Sequence, residues 1–189
     1  MEREPLIIPG FLIAEPELLD PNFEKTVIAL VHHDKTGSFG LVLNRPSNIV
    51  LSDVLPGYDA TPHENLPLYL GGPVDPNRLF TLHSGVTGFP TSKQAITLGP
   101  GLLFEPDFSV VQDLLHYEKP QHLRFYLGYA GWDEDQLNRE YAERSWISSY
   151  ASGSIAFEKP GPQLWQLALS AISPYYAVVA QTGFRPSLN

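Results

Sequence analysis

The chain has 189 residues, 43% of them hydrophobic and 17% charged, and its 12 Lys+Arg against 21 Asp+Glu give a formal charge of −9. That length suits one domain, and the acidic surplus opposes direct contact with nucleic acid or an anionic membrane surface. The absence of cysteine excludes disulfides, thiolate nucleophiles and cysteine-ligated metals, while 18 prolines and 15 glycines point to short elements joined by rigid turns.

The opening Met1-Glu2-Arg3-Glu4-Pro5 is acidic where a secretory signal needs a basic start. No apolar run approaches the roughly 18 residues of a membrane helix, so a cytoplasmic protein is expected. Residues 6–14 read as a strand interrupted at Pro9-Gly10, followed by turn chemistry at Glu15-Pro16 and Asp20-Pro21. From Lys25 to His33 a β-branched, continuous apolar run predicts a strand buried on both faces. Asp34 to Ser38 supplies a hairpin turn, and Phe39 to Asn44 returns as the partner strand.

A short helix is expected around Leu51 to Leu55, then a polar loop from Pro56 to Pro67. Short strands follow at Leu68–Leu70, Leu79–His83 and Gln94–Leu98, separated by glycine turns. From Asp107 the spacing of Val110, Val111, Leu114 and Leu115 predicts a helix that Pro120 prevents from continuing. Leu123 to Tyr129 reads as a central strand ending in a glycine turn at Gly131. Asp133 then reads as the N-cap of a helix in which Gln136 completes the cap and Glu140 pairs with Arg144. Trp132 and Trp146 flank that helix as staples. Ser154 to Phe157 is expected as a strand, Pro162 opens a helix striped by Leu164, Leu167, Ala168 and Ala171, and Pro174 stops it. The tail Tyr175 to Phe184 is apolar enough to pack as an edge strand. The whole reads as one α+β domain, residues 1–189, with a mixed, largely antiparallel sheet.

Taken as a set, Phe11-Leu12-Ile13-Ala14, Asp20-Pro21, Gly40, Asn44, Gly71-Gly72-Pro73-Val74, Leu82-His83, Gly128-Tyr129-Ala130-Gly131-Trp132, Gln136-Leu137, Glu140 and Trp146 resemble the YqgE/AlgH family in order and spacing, from about Phe11 to Trp165. The resemblance implies a compact cytoplasmic protein whose sheet is curled into a pseudo-barrel with flanking helices. It carries over no catalytic residues. The AlgH name attaches to a member proposed as a transcriptional regulator in alginate production, which implies at most an indirect regulatory role here. The tail from Tyr175 to Asn189 departs from the family pattern.

Among candidate sites, His32-His33-Asp34 suggests a metal, yet neighbours on a regular strand point to opposite faces, so no metal site is expected. The alternative is that His33 orders the turn through Asp34. Gly71-Gly72 brings backbone N–H groups within reach of an anion, against a plain tight turn that needs positive φ. Asn44 and Arg45 at one strand end and His83 at another would suit a carboxylate or phosphate if they converge, with Arg45 as the fork and His83 as donor or general base. The alternative is that Asn44 and His83 satisfy loop backbone groups. The absence of G-x-S-x-G, of a phosphate loop and of a basic stripe leaves no nucleophile, cofactor or nucleic-acid interface to assign. The reading is therefore a non-enzymatic binding or regulatory protein whose partner is a protein or a small anionic ligand. The competing reading is a small-molecule enzyme or sensor built on Asn44, Arg45 and His83.

Overall fold

The computed structural model describes residues 4–55, 65–85, 91–116 and 122–183. Ten strands and six helices fall among these residues: β1 (Gly10–Ala14), β2 (Val27–Asp34), β3 (Gly37–Val42), β4 (Pro46–Val50), α1 (Leu51–Val54), β5 (Pro67–Leu70), β6 (Val74–His83), β7 (Ile96–Gly99), β8 (Leu102–Glu105), α2 (Phe108–His116), β9 (Leu123–Trp132), α3 (Gln136–Ala142), β10 (Trp146–Ser149), α4 (Gly153–Ala156), α5 (Pro162–Ile172) and α6 (Pro174–Thr182). No helix among the described residues is long and apolar enough to cross a membrane.

The strands form a mixed sheet in the order β10-β1-β2-β3-β9-β6-β8-β7, with β4 paired to β5 beside this path. All pairings are antiparallel except β5 with β9. The sheet curls into a half-barrel, so that β7 at one end approaches β2, and Leu98 and Leu102 join the same core as Phe11, Leu12, Leu30 and Leu41. A second apolar cluster lies under α1 and α2 and takes Leu123, Phe125 and Leu127 from β9, while the intervening Tyr126 enters the main core. That division is the period-2 alternation of a strand covered on both faces.

Strand β9 joins the two halves by changing partner. Its Phe125–Leu127 segment runs parallel to Leu68–Leu70 of β5, whereas Ala130–Trp132 pairs with Ser38–Gly40 of β3. The change occurs at Gly128, whose φ of +69° is costly for any residue with a side chain. Gly71 and Gly72 lie across this kink. The Gly71 amide donates to the Leu127 carbonyl and the Gly71 carbonyl accepts from Val42, while a β-carbon at Gly72 would lie 2.1 Å from the Tyr129 carbonyl carbon. Gly131, expected to make the glycine turn, does not have a positive φ; Gly128 holds it instead.

Several expectations require correction. Residues 153–156 form a helical turn because the Gly153 amide donates to the Pro100 carbonyl and its Cα packs where a β-carbon would strike Gly101. The tail is helix α6, since Pro174 both stops α5 and opens the next helix while the Ser173 hydroxyl accepts from the Tyr176 amide. Asp133 does not cap α3: its own amide donates to the Gln136 side chain, and Asp135 occupies the cap position in a left-handed conformation. Arg144 lies past the helix end at φ 64°, and Glu140 is engaged elsewhere. The loop 56–67 falls largely outside the described residues, as do Gly88 and Pro120.

Candidate functional site

The residues singled out from sequence take separate positions. Asn44 is 1% exposed and its side chain is saturated: Oδ1 accepts from the Val27 amide at 2.9 Å, and Nδ2 donates to the carbonyls of Lys25 at 2.8 Å and Gly161 at 3.1 Å. Arg45 donates to the Glu24 carbonyl at 2.8 Å and lines a cavity of about 330 Å³ together with Gly72, Leu70, Pro21, Pro73 and Pro76. Neither Asn44 nor His83 lines that cavity. Gly71 is taken up by the strand junction described above.

His83 sits at the end of β6, 1% exposed, where its Nδ1 accepts from the Gly85 amide at 3.0 Å. The proton of the neutral ring therefore resides on Nε2, which is buried without a hydrogen-bond partner among the described residues. Burial holds its pKa below the ordinary histidine value, against an opposing pull from Glu105. In the β2–β3 hairpin, His32 Nε2 meets Asp34 Oδ2 at 2.9 Å and His33 Nδ1 meets the Ser38 hydroxyl at 2.7 Å. Asp34 is thus engaged by His32 and not by His33, which ties the turn through Ser38 instead. Hydrogen bonds from the Thr36 hydroxyl and amide, with a smaller contribution from His32, hold the exposed Asp34 carboxyl at a pKa of about 2.

A cavity of about 480 Å³ opens between the β2–β3 hairpin, β6 and the end of β8. Its apolar wall is a cluster of four rings, Phe39, Phe80, Phe104 and Tyr129, contributed by four different strands. Phe39 is the hub, with centroid separations of 5.0 Å to Tyr129, 5.3 Å to Phe80 and 5.6 Å to Phe104, at tilted or edge-to-face angles. The polar rim comes from His32, Thr36, Ser38, Arg78 and Glu105. Arg78 is exposed and its guanidinium lies 5.1 Å from the Phe80 centroid, a cation–π contact. Glu105 is 2% exposed with both carboxylate oxygens engaged: Oε1 accepts from the Ser92 hydroxyl and the Asp107 amide, and Oε2 from the Ser92 amide.

Phe39, Phe80, Phe104 and Arg78 are not singled out by the sequence alone. The signal was faint, because strand pairing alone brings Phe39 opposite Gly131 and Phe80 opposite Tyr126, and neither register can be read before the sheet is known. Trp132 lies at the edge of this cavity and also belongs to a closed corner. There Trp132 Nε1 and Trp146 Nε1 both donate to Glu140 Oε2, at 2.9 and 2.8 Å, while Gln136 donates to Oε1. Phe23 stacks on Trp132 and meets Trp146 edge-on. The tryptophans therefore staple α3 to the sheet, as their spacing indicated.

Comparison with known proteins sets this geometry in a family. The model of the AlgH-like family matches residues 11–177. A UPF0301 protein of Alcanivorax borkumensis is 35% identical over 184 residues, covering 95% of this chain and 96% of its own, and one of Stutzerimonas stutzeri is 38% identical over 170 residues, covering 86% of each. The solution structure of the AlgH protein from Pseudomonas aeruginosa superposes with a TM-score of 0.73 at 28% identity, over 99% of this chain and 100% of that one. A crystal structure of a Corynebacterium diphtheriae protein shares the fold, with a TM-score of 0.77 at 22% identity over 95% and 94% of the two chains. The chain belongs to the AlgH-like family.

Proposed function

We propose, starting from membership of that family, that this chain is a non-enzymatic binding protein of the cytoplasm, working as one domain, whose aromatic cavity holds a small organic ligand. The observation that carries the reading is the cavity itself: about 480 Å³ of space where the rings of Phe39, Phe80, Phe104 and Tyr129 meet the polar side chains of His32, Thr36, Ser38, Arg78 and Glu105. A concave site that sets a ring cluster beside convergent polar side chains is a usual form of small-molecule pocket. The polar groups of its rim support binding over chemistry, because His32 is paired to Asp34, the Ser38 hydroxyl to His33 and Glu105 to Ser92 and Asp107. In this reading any regulatory effect, transcription included, runs through the ligand or a protein partner, since a chain of net charge −9 repels DNA.

A thermal-shift panel of small aromatic compounds, run on the wild type and Phe80→Leu, tests the reading. A ligand at 100 times its Kd adds about 2.7 kcal/mol of stability. Compounds that raise the single unfolding transition of the wild type, but raise that of Phe80→Leu less from its own baseline, are the expected result. Equal shifts in both proteins, or none across the panel, would sink it. The enzyme reading built on Asn44, Arg45 and His83 gains no support from a saturated Asn44 and a buried His83. Turnover of a stabilising compound that disappears in His83→Ala would restore it.

A further inference from the structure

We propose that the ligand of this cavity is a small aromatic anion, its ring held against the phenylalanine cluster and its anionic group by Arg78. The inference rests on reading the cavity as a ligand site. It draws on how the arginines of this chain are used. Arg45 donates to the Glu24 carbonyl, and Arg124 donates to the carbonyls of Ala156 and Phe157, both at 2.8 Å, while lying over Tyr69 and Phe157. Those guanidiniums hold the fold together. Among the described residues Arg78 makes no such hydrogen bond to the backbone, and like the other arginines and lysines there it forms no ion pair.

Its placement matters more than its lack of a carboxylate partner. The guanidinium lies over Phe80 at the cavity rim, 5.1 Å from the ring centroid, and its N–H groups remain available for the fork geometry that carboxylates fit. A cationic ligand would also be drawn to the rings, but Arg78 already occupies Phe80 and would repel a second positive charge. The one carboxylate buried in the wall, Glu105, is turned to three protein donors, so it does not offer its oxygens to a ligand cation. A neutral aromatic compound would use the rings and leave the cationic rim without a role.

The test is isothermal titration of 2-naphthoate and its neutral near-isostere 2-naphthamide against the wild type, Arg78→Met and Arg78→Lys. Because hydrogen bonds to charged groups are the stronger class, wild type should bind the acid about tenfold more tightly than the amide. Arg78→Met should lose that preference while keeping its affinity for the amide, and Arg78→Lys should keep only part of it. If acid and amide bind equally to wild type and Arg78→Met, the anion assignment is overturned and the cavity remains a ligand site. If neither probe binds wild type, the ligand-site reading fails and takes this one with it. A preference for the acid that persists in Arg78→Met would place the anion elsewhere and also overturn the proposal.

Discussion

Two aromatic clusters meet at the end of β9, and they differ in what surrounds the rings. At Trp132 and Trp146 the indoles pack on Phe23, both N–H groups reach one Glu140 oxygen, and Trp146 is 1% exposed. At Phe39, Phe80, Phe104 and Tyr129 the rings touch one another at similar distances but border about 480 Å³ of open space with an arginine at its rim. Closed aromatics with satisfied polar edges are structure. Aromatics beside open volume with a cation at its rim are, in the proposed reading, a place for a ligand to sit.

The sharpest way to break this contrast is to damage the closed corner. Trp146→Ala should cost about 3–5 kcal/mol, the range for removing a buried aromatic, read as a fall in Tm on the order of 10 °C. Glu140→Ala should cost about 2–3 kcal/mol in a denaturant titration, because two indole donors lose their acceptor, and Glu140→Gln should recover part of it. Loss of naphthoate binding in either variant while it is still folded would show that the two clusters are not separate in function.

His83 lies outside both regions and supplies a pH test of the sheet beneath them. Its folded pKa is lowered by burial, so below 6.5 the unfolded chain binds more protons than the folded one. Stability should therefore be complete above pH 6.5 and fall as the pH drops from there towards the folded pKa. In His83→Gln that decline should flatten, measured as Tm against pH relative to the variant's own plateau. Arg78→Met should leave unfolding within about 0.5 kcal/mol of wild type while weakening the acid probe, the opposite pattern to Trp146→Ala. The smallest effect concerns the β2–β3 turn. Asp34, held at about 2 against an ordinary 3.8, contributes stability above pH 3.8 that is lost as the pH falls towards 2, and Asp34→Asn should remove that limb of an acid titration.

What could be read from sequence follows from how local each signal was. Val27–Val31 is buried throughout, as its unbroken apolar run required, while the α5 stripe is buried only in part: Leu164 and Ala168 are buried, but Leu167 is half-buried and Ala171 exposed, and Trp165 and Leu169 complete the buried face. Strands β4, β8 and β10 span only four or five residues each and were not foreseen, because so short a segment acquires its identity from its neighbour in the sheet. The 153–156 turn and α6 were misread for the same reason: Ser-Ile-Ala-Phe and Tyr-Tyr-Ala-Val-Val carry strand-like residues, and what decides them is the Pro100 carbonyl in one case and the Ser173 cap in the other. Of the site candidates, Arg45 and Gly72 share a small cavity while Asn44 and His83 are built into the frame. The larger cavity was illegible because positions 39, 80, 104 and 129 are related only through strand register.

The most direct test of the two-cluster account is an aromatic-detected NMR spectrum of the wild type with saturating 2-naphthoate. The account predicts intermolecular NOEs from the probe to the rings of Phe39, Phe80, Phe104 or Tyr129, with Trp146 unmoved. Contacts confined to Trp146 and Phe23, or to a surface remote from both clusters, would contradict it.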